Sequence, residues 1–345
     1  MAERTPFEAK WRLLAQVEFH CHILISNVSG AVKVAPLRIL QFPVVLPHKF
    51  QDAGKFNLQF SDFSEITETA DKLRWLRYQR GLRQRDSFRP SYGMIGDFIQ
   101  ALPNRPQTIA CTATATKQER QEIQQTLGMR NCVCHCVSVY RENLYLTVRE
   151  VGHLDQMPAA VLSELEDWNW KGLALVFCPT VLDVQSLTKY LESRDWRACG
   201  YYAEMSKKEK EACANDYADG KYNVMIATSA FGLGVDIPNI CLVIHAGLPL
   251  GLSDYTQQIG RGGRNGKKTR CILLYAPGDE KRALRILKGN AGEDVSPIKK
   301  HGVAALVKAI QSSDCLWGSI TKYYGERMEV SCGHCTQCRR KNNIA

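Results

Sequence analysis

Two arginines, Arg261 and Arg264, lie close together in the glycine-rich stretch YTQQIGRGGRNG of residues 255–266. Glycine lets a backbone approach an anion closely, and the planar, permanently charged guanidinium group matches the geometry of phosphate oxygens. The stretch therefore predicts a loop that faces a phosphate. The first 90 residues contain no G-x-x-x-x-G-K-[ST] sequence that would hold the same phosphate from the other side.

Cysteines form a second candidate site near the C-terminal end of the sequence. Cys315 is followed by a C-x-x-C-x-x-C run that contributes Cys332, Cys335 and Cys338. Four thiolates with this paired spacing suit a closed, tetrahedral zinc site of the structural type, while four unrelated cysteines are the alternative. His334 lies inside the run as an alternative ligand. Because structural zinc contributes folding energy, we expect chelation to loosen the C-terminal segment.

These residues must be positioned by the elements around them, and the sequence after about residue 172 has a regular pattern. Short apolar runs alternate with longer amphipathic stretches, as buried parallel strands alternate with crossover helices. The predicted strands are LALVF (173–177), RACGYY (197–202), YNVMIAT (222–228), CLVIH (241–245) and TRCILLYA (269–276). Helices are predicted over 207–220 and over 181–194, the latter with Leu182, Leu187 and Leu191 on one face.

The earlier part of the sequence is less regular. Residues 107–128 predict a strand, a threonine-rich turn and a helix. Residues 132–139 alternate with period 2, which predicts a strand with three cysteines on one face. Metal binding by these cysteines is the weaker alternative, because alternate ligands on one short strand rarely close a tetrahedral site. Residues 1–87 stay unassigned, since prolines interrupt their apolar segments.

The composition limits the function classes. The 345 residues carry a formal net charge of +10 and 45% apolar side chains, which fits folded domains and a polyanionic partner such as nucleic acid. The apolar run at 17–28 is interrupted by charged and polar residues, so we predict neither a signal peptide nor a membrane span. We therefore expect a soluble intracellular protein whose cysteines are reduced.

The stretch ATSAFGLGVDIPNICLVIH (227–245), followed by YTQQIGRGGRNG, resembles motifs V and VI of superfamily 2 helicases and, more closely, the RecQ family of DNA helicases. Other segments of the chain are also similar to that family and occur in the family's order. They are FRPSY (88–92), CTATAT (111–116), YRENLYLTV (140–148), LVFCPT (175–180) and the four cysteines. The resemblance implies two RecA-like lobes that clamp ATP with Mg²⁺ and step 3′ to 5′ along single-stranded or branched DNA.

The resemblance also implies roles for individual residues. Arg264 would be the arginine finger on the ATP γ-phosphate, with Arg261 beside it and Gln257 opening the motif. The nucleotide and the lobe interface would be contacted by Gly234, Asp236 and Gly260. The DNA would be coupled to the ATP site by Phe88, Arg89, Tyr92, Thr112 and Thr114. For the two threonines, a helix cap is the simpler alternative.

The resemblance divides the chain into four parts. They are an unassigned segment (1–87), a remnant of RecA-like lobe 1 (88–140), a RecA-like lobe 2 (141–277) and a helical zinc-binding module (278–345). The expected fold class is α/β, with a parallel sheet in each RecA-like lobe. The family implies a role in DNA recombination, repair or replication, further proteins of those processes as partners, and a nuclear location, or a cytoplasmic one in a prokaryote.

The first lobe departs from the family pattern. DAGKF (52–56) and SGAVK (29–33) are incomplete as phosphate loops, and Leu76 to Gln79 occupy the place of the acidic Asp-Glu-Ala-His motif. The basic segment that contains them, KLRWLRYQRGLRQRDSFR (72–89), is a candidate for contact with DNA phosphates or for a solvated surface. We therefore expect intrinsic ATPase to be weak or absent. The alternatives are a non-catalytic DNA- or partner-binding module and a truncated reading of a longer helicase.

Overall fold

The computed structural model describes residues 23–26, 39–41, 109–112, 114–168, 172–231, 237–289 and 294–342. These residues belong to two compact units, residues 1–137 and residues 138–345. None of the described helices is long and apolar enough to cross a membrane.

The described part of the first unit is a small mixed sheet with one helix. Its elements are β1 (Ile23–Ser26), β2 (Ile39–Gln41), β3 (Ile109–Thr112), α1 (Lys117–Thr126) and β4 (Val133–Cys136). The strand order is β2-β3-β1-β4, with β1 antiparallel to both β3 and β4. The strand-turn-helix predicted at 107–128 and the strand predicted at 132–139 are confirmed. The parallel pairing expected of a RecA-like lobe occurs here only between β2 and β3 among the described strands.

The second unit is built on a six-stranded sheet in which every described pair of strands is parallel. The strands are β5 (Leu144–Glu150), β6 (Leu173–Phe177), β7 (Ala198–Tyr201), β8 (Val224–Ala227), β9 (Ile240–Ala246) and β10 (Thr269–Tyr275), in the order β5-β10-β9-β6-β8-β7. The five predicted strands are confirmed, and the α/β fold class with them. Strand β5 was not predicted, although its buried residues alternate with less buried ones over Leu144, Leu146 and Val148.

Helices cover both faces of this sheet, because its strands β6 and β8 are apolar and buried along their whole length. They are a 3₁₀ turn (Leu154–Gln156), α2 (Met157–Glu166), α3 (Val181–Glu192), α4 (Lys207–Ala218), α5 (Leu252–Ile259), α6 (Asp279–Lys288), α7 (Pro297–Gln311), α8 (Leu316–Tyr323) and α9 (Thr336–Lys341). One face buries α2 and α3 against Val176, Ile226 and Leu274. The opposite face packs α4, α5, α7 and α8 against residues such as Leu175 and Val243.

The C-terminal helices share this core with the sheet. Val303, Leu306, Trp317 and Ile320 belong to the same buried cluster as Leu144 of β5. The boundary between a lobe and a zinc-binding module at 277/278 stays a prediction, but residues on its two sides build one continuous apolar interior.

One predicted helix face is wrong. Leu182 is 74% exposed, whereas Leu187 and Leu191 are buried together with Val184. Residues three and four apart share a helical face, and Leu182 lies five residues before Leu187, so its side chain points away from the sheet.

Candidate functional site

The loop that carries the two arginines, Gly260–Gly266, is called the arginine loop below. It follows α5, whose buried residues Tyr255 and Ile259 anchor it on the core. The amide of Gly263 donates to the carbonyl oxygen of Ile240 (2.9 Å). Because Ile240 is the first residue of β9, the loop lies at the end of the sheet where the strands β9 and β10 begin.

Two glycines make the compact shape of this loop feasible. Gly263 has φ +60°, and a Cβ atom there would lie 2.5 Å from Asn143 Nδ2 and 2.7 Å from Thr269 Oγ1. A Cβ on Gly262 would lie 2.7 Å from Thr269 Cγ2. A side chain at either position would displace its neighbours, so the glycines are needed for packing as well as for backbone freedom.

The predicted residues of the motif occupy this region together. Gln257 is exposed on α5, Gly260 caps the helix, and Arg261 and Arg264 are half-buried in the loop. Asn265 Nδ2 donates to Asn239 Oδ1 (3.3 Å), which joins the loop to the end of the segment resembling motif V. Gly234 and Asp236 of that segment lie outside the described residues.

A buried histidine supports the helix that carries the loop. His245 on β9 stacks on Phe177 with 5.5 Å between ring centroids and contacts Tyr255 of α5. Its Nε2 lies 3.0 Å from Gln258 Oε1. Burial lowers the pKa of His245 to about 3, so the ring is neutral at pH 7 and donates its Nε2 proton to the amide oxygen.

The residues expected to couple DNA to the ATP site are only partly described. Thr112 ends β3, and its hydroxyl donates to the carbonyl oxygen of Thr114 (3.0 Å). The helix α1 is capped by the neighbouring Thr116 in a capping box with Glu119, so neither predicted threonine is the cap. Phe88, Arg89 and Tyr92 lie outside the described residues.

The four cysteines come together as a cluster, which we call the cysteine cluster. Their Sγ atoms lie within 4.8 Å of one another, with 3.9 Å between Cys332 and Cys338 and 4.0 Å between Cys315 and Cys335. Sulfurs about 2.3 Å from a tetrahedral zinc ion would be about 3.8 Å apart. The donor set and its spacing therefore fit zinc.

The surroundings of the sulfurs also favour a cation. Backbone amides of Leu316, Cys332 and Cys335 donate to cluster sulfurs at 3.3 to 3.4 Å. Hydrogen bonds from Cys332 and Cys335 lower the pKa of the Cys315 thiol, and the contacts with Cys315 and Cys335 raise the pKa of Cys332. One thiolate is thus favoured and a second is opposed, so ionisation of all four needs a positive ion among them. His334 points its ring at Tyr145, with 4.5 Å between centroids.

The cluster is attached to the sheet through β5. Trp317 Nε1 of α8 donates to the Leu144 carbonyl oxygen (3.2 Å), and the Val148 amide donates to Thr336 Oγ1 of α9 (2.8 Å). Strand β5 is one of the two edge strands of the sheet, and these side chains satisfy backbone groups that β10 does not pair.

Comparisons with known proteins agree with this architecture. The family described as the helicase conserved C-terminal domain matches residues 157–266. The chain is 28% identical over 251 residues to the ATP-dependent DNA helicase RecQ of Bacillus subtilis, covering 73% of this chain and 42% of that protein. It is 35% identical over 193 residues to the probable ATP-dependent DNA helicase RecS of the same organism, covering 56% and 38%.

A mammalian relative extends the match. The bifunctional 3'-5' exonuclease/ATP-dependent helicase WRN of Mus musculus is 30% identical over 243 residues, covering 70% of this chain and 17% of that protein. The chain is thus similar to RecQ-type DNA helicases over about 70% of its length, and these matches support a RecQ-type helicase. It spans less than half the length of these curated relatives.

Sequence reasoning missed the residues that hold the arginine loop. Arg141 and Asn143, which precede β5, donate to carbonyl oxygens within and beside the loop. The segment YRENLYLTV had been associated with the family, but no residue pattern indicated that these two polar side chains turn towards a loop more than a hundred residues later.

Proposed function

We propose that this chain provides the second motor lobe and the metal module of a RecQ-type ATP-dependent DNA helicase, with Arg264 as the group that contacts the γ-phosphate of ATP. The observation that carries the proposal is the arginine loop itself. Two arginines lie on a tightly packed glycine loop where two strands of a parallel sheet begin, in a chain similar to RecQ helicases. The function of the whole motor, including its 3′ to 5′ direction on DNA, is part of the proposal.

The chemistry suits Arg264. Phosphoryl transfer spreads negative charge over the phosphate oxygens, and a guanidinium group held in place stabilises that charge. The loop is fixed by packing, so little reorganisation is needed when the charge develops. An arginine finger of this kind accelerates nucleotide hydrolysis by about 10³- to 10⁵-fold when the phosphate and Mg²⁺ are held by the facing lobe.

The cysteine cluster has a different role in the proposal. Cys315, Cys332, Cys335 and Cys338 would hold a structural zinc ion, because closed four-sulfur coordination leaves no open position for a substrate. The ion would supply folding energy to the segment that packs on β5. The net charge of +10 supports a DNA partner, because a positively charged chain is attracted to DNA phosphates.

The test combines hydrolysis with DNA binding. Purified, zinc-loaded chain would be assayed for single-strand-DNA-stimulated ATP hydrolysis and for DNA affinity with and without a non-hydrolysable ATP analogue. We expect weak turnover and a nucleotide-dependent change in DNA affinity, both lost in Arg264→Ala. Lys267→Ala removes a nearby exposed charge and is the matched control, which should keep both.

The contrary outcome is equally defined. If the DNA affinity of the chain is the same with and without the ATP analogue, and Arg264→Ala behaves like the control, the chain is a passive DNA-binding module. That result would contradict the motor function while leaving the family relationship intact.

A further inference from the structure

The C-terminal end of helix α5 has no basic side chain of its own to bind its carbonyl groups. The last carbonyl groups of any α-helix lack partners within the helix and carry partial negative charge. The last turn of α5 contains no basic residue. The carbonyl oxygens beyond it belong to the arginine loop, so whatever binds them also sets the shape of that loop.

Arg141 binds these carbonyl groups from outside the helix. Its Nη1 donates to the carbonyl oxygens of Gly260 (3.2 Å) and Gly262 (3.0 Å), and its Nη2 donates to that of Gly263. A guanidinium group has five N–H donors in one plane, which allows a single side chain to bridge three carbonyls of a tight turn. Its partners in the described part of the chain are carbonyl oxygens rather than carboxylates.

Arg141 is itself held firmly. The Leu144 amide donates to the Arg141 carbonyl oxygen (3.1 Å), closing a turn before β5. The preceding Tyr140 packs edge-on against Trp317, with 5.3 Å between ring centroids. Asn143, in the same turn, donates to the carbonyl oxygens of Gly263 and Lys267, each at 2.9 Å. The turn therefore binds the first residues of the loop and Lys267, the residue that follows it.

The charge of Arg141 adds to that of the loop. Burial is the main cause that lowers the pKa of Arg141, and the nearby positive charge of Arg264 lowers it further. The Arg141 charge is stabilised by the three carbonyl groups that it binds, and the two positive charges together make the loop attractive to an anion.

We propose that Arg141 is a positioning residue: by bridging the carbonyl groups of Gly260, Gly262 and Gly263, it holds Arg261 and Arg264 in the arrangement that meets a nucleotide phosphate. The inference rests on the proposed function for its nucleotide part. Its conformational part, that Arg141 fixes the loop, stands on the contacts alone.

The first measurement is hydrogen–deuterium exchange of the loop. Arg141→Gln keeps a polar side chain but cannot bridge three carbonyls, and Arg141→Lys keeps the charge without the planar fork. We expect exchange of the loop amides to accelerate about tenfold in Arg141→Gln and by less in Arg141→Lys, with β6 and β9 unchanged. Arg149→Gln is the matched control, because the half-exposed Arg149 lies in β5 and contacts none of the loop residues; it pairs with the buried Glu164, which keeps Arg270 as a partner.

The second measurement separates the two proposals. If the intact chain binds a fluorescent ATP analogue, Arg141→Gln should weaken the binding in the same direction as Arg264→Ala, whereas Arg149→Gln should not. Loop exchange that stays at the wild-type rate in Arg141→Gln would overturn the role of Arg141. If exchange of the loop amides accelerates in Arg141→Gln but the wild-type chain does not bind the ATP analogue, the role of Arg141 is retained and the proposed function is contradicted.

Discussion

The arginine loop and the cysteine cluster lie on the same unit and are both attached to the segment around β5, but they are held by opposite means. The cluster is local in sequence: its four sulfurs come from residues 315–338. The loop depends on a distant partner, since Arg141 reaches carbonyl groups 119 to 122 positions later. The residues of both sites can be recognised from the sequence, whereas the remote side chain that holds the loop cannot.

Metal removal should produce the largest effect and tests whether the two regions are independent. We expect chelation, or Cys335→Ser, to release bound zinc and unfold the segment around α8 and α9, because zinc binding in small finger peptides is worth about 10 to 16 kcal/mol. Zinc content by elemental analysis and thermal unfolding measure this. Cys241→Ser, outside the cluster, should keep the metal.

Chelation also tests whether the arginine loop is independent of the cysteine cluster. If chelation also accelerates exchange in the arginine loop, the contacts of Trp317 and Thr336 with β5 transmit the change, and the two regions form one unit. Exchange confined to the C-terminal helices would keep them separate.

A pair of glycine variants tests how tightly the arginine loop is packed. Gly263→Ala and Gly266→Ala both place an L side chain at positive φ, which costs about 1 kcal/mol. At Gly263 the new Cβ would also meet Asn143 and Thr269, adding about 1 to 3 kcal/mol, whereas nothing lies within 4 Å at Gly266. Denaturant unfolding measures the difference, and equal losses of stability would show that the loop is not packed as described.

Acid should weaken the support beneath the loop. The pKa of His245 is about 3 in the folded chain and about 6.5 when unfolded, so the unfolded state binds more protons between these values. Stability is therefore lost as the pH falls below about 6.5, by about 2 kcal/mol at pH 5. The loss should disappear in His245→Gln and persist in His153→Gln, at an exposed site. Identical pH profiles for the wild type and His245→Gln would mean that the ring is not buried neutral.

The smallest effect concerns the attachment of the cluster to β5. Arg339 donates to Thr147 Oγ1 (2.9 Å), and Arg339→Gln should cost about 0.5 to 1.5 kcal/mol without loss of metal. The neighbouring Arg340 is exposed, and Arg340→Gln should change stability by less than about 0.5 kcal/mol. Urea unfolding of the two variants decides whether the contact stabilises the chain.

The sequence alone determined much of the second unit. Apolar runs long enough for one buried strand placed β6 to β10, because a strand buried on both faces must be apolar throughout. Cysteine spacing placed the cluster, and the glycine-rich motif placed the arginine loop. The residues of the motif that the structure describes do lie together.

The tertiary structure decided what the local pattern could not express. Leu182 was predicted on one face with Leu187 and Leu191, yet α3 packs with Val184 in its place and leaves Leu182 in solvent. Strand β5 depends on partners far away in the sequence, because Trp317 and Thr336 satisfy backbone groups on its free edge. Arg141 and Asn143 carried no sequence signal, because hydrogen bonds to backbone carbonyls depend on where the chain returns in space rather than on which residues it passes. The sequence near Arg264 therefore predicts the chemistry of the loop, while only the tertiary structure shows which distant side chains hold its shape.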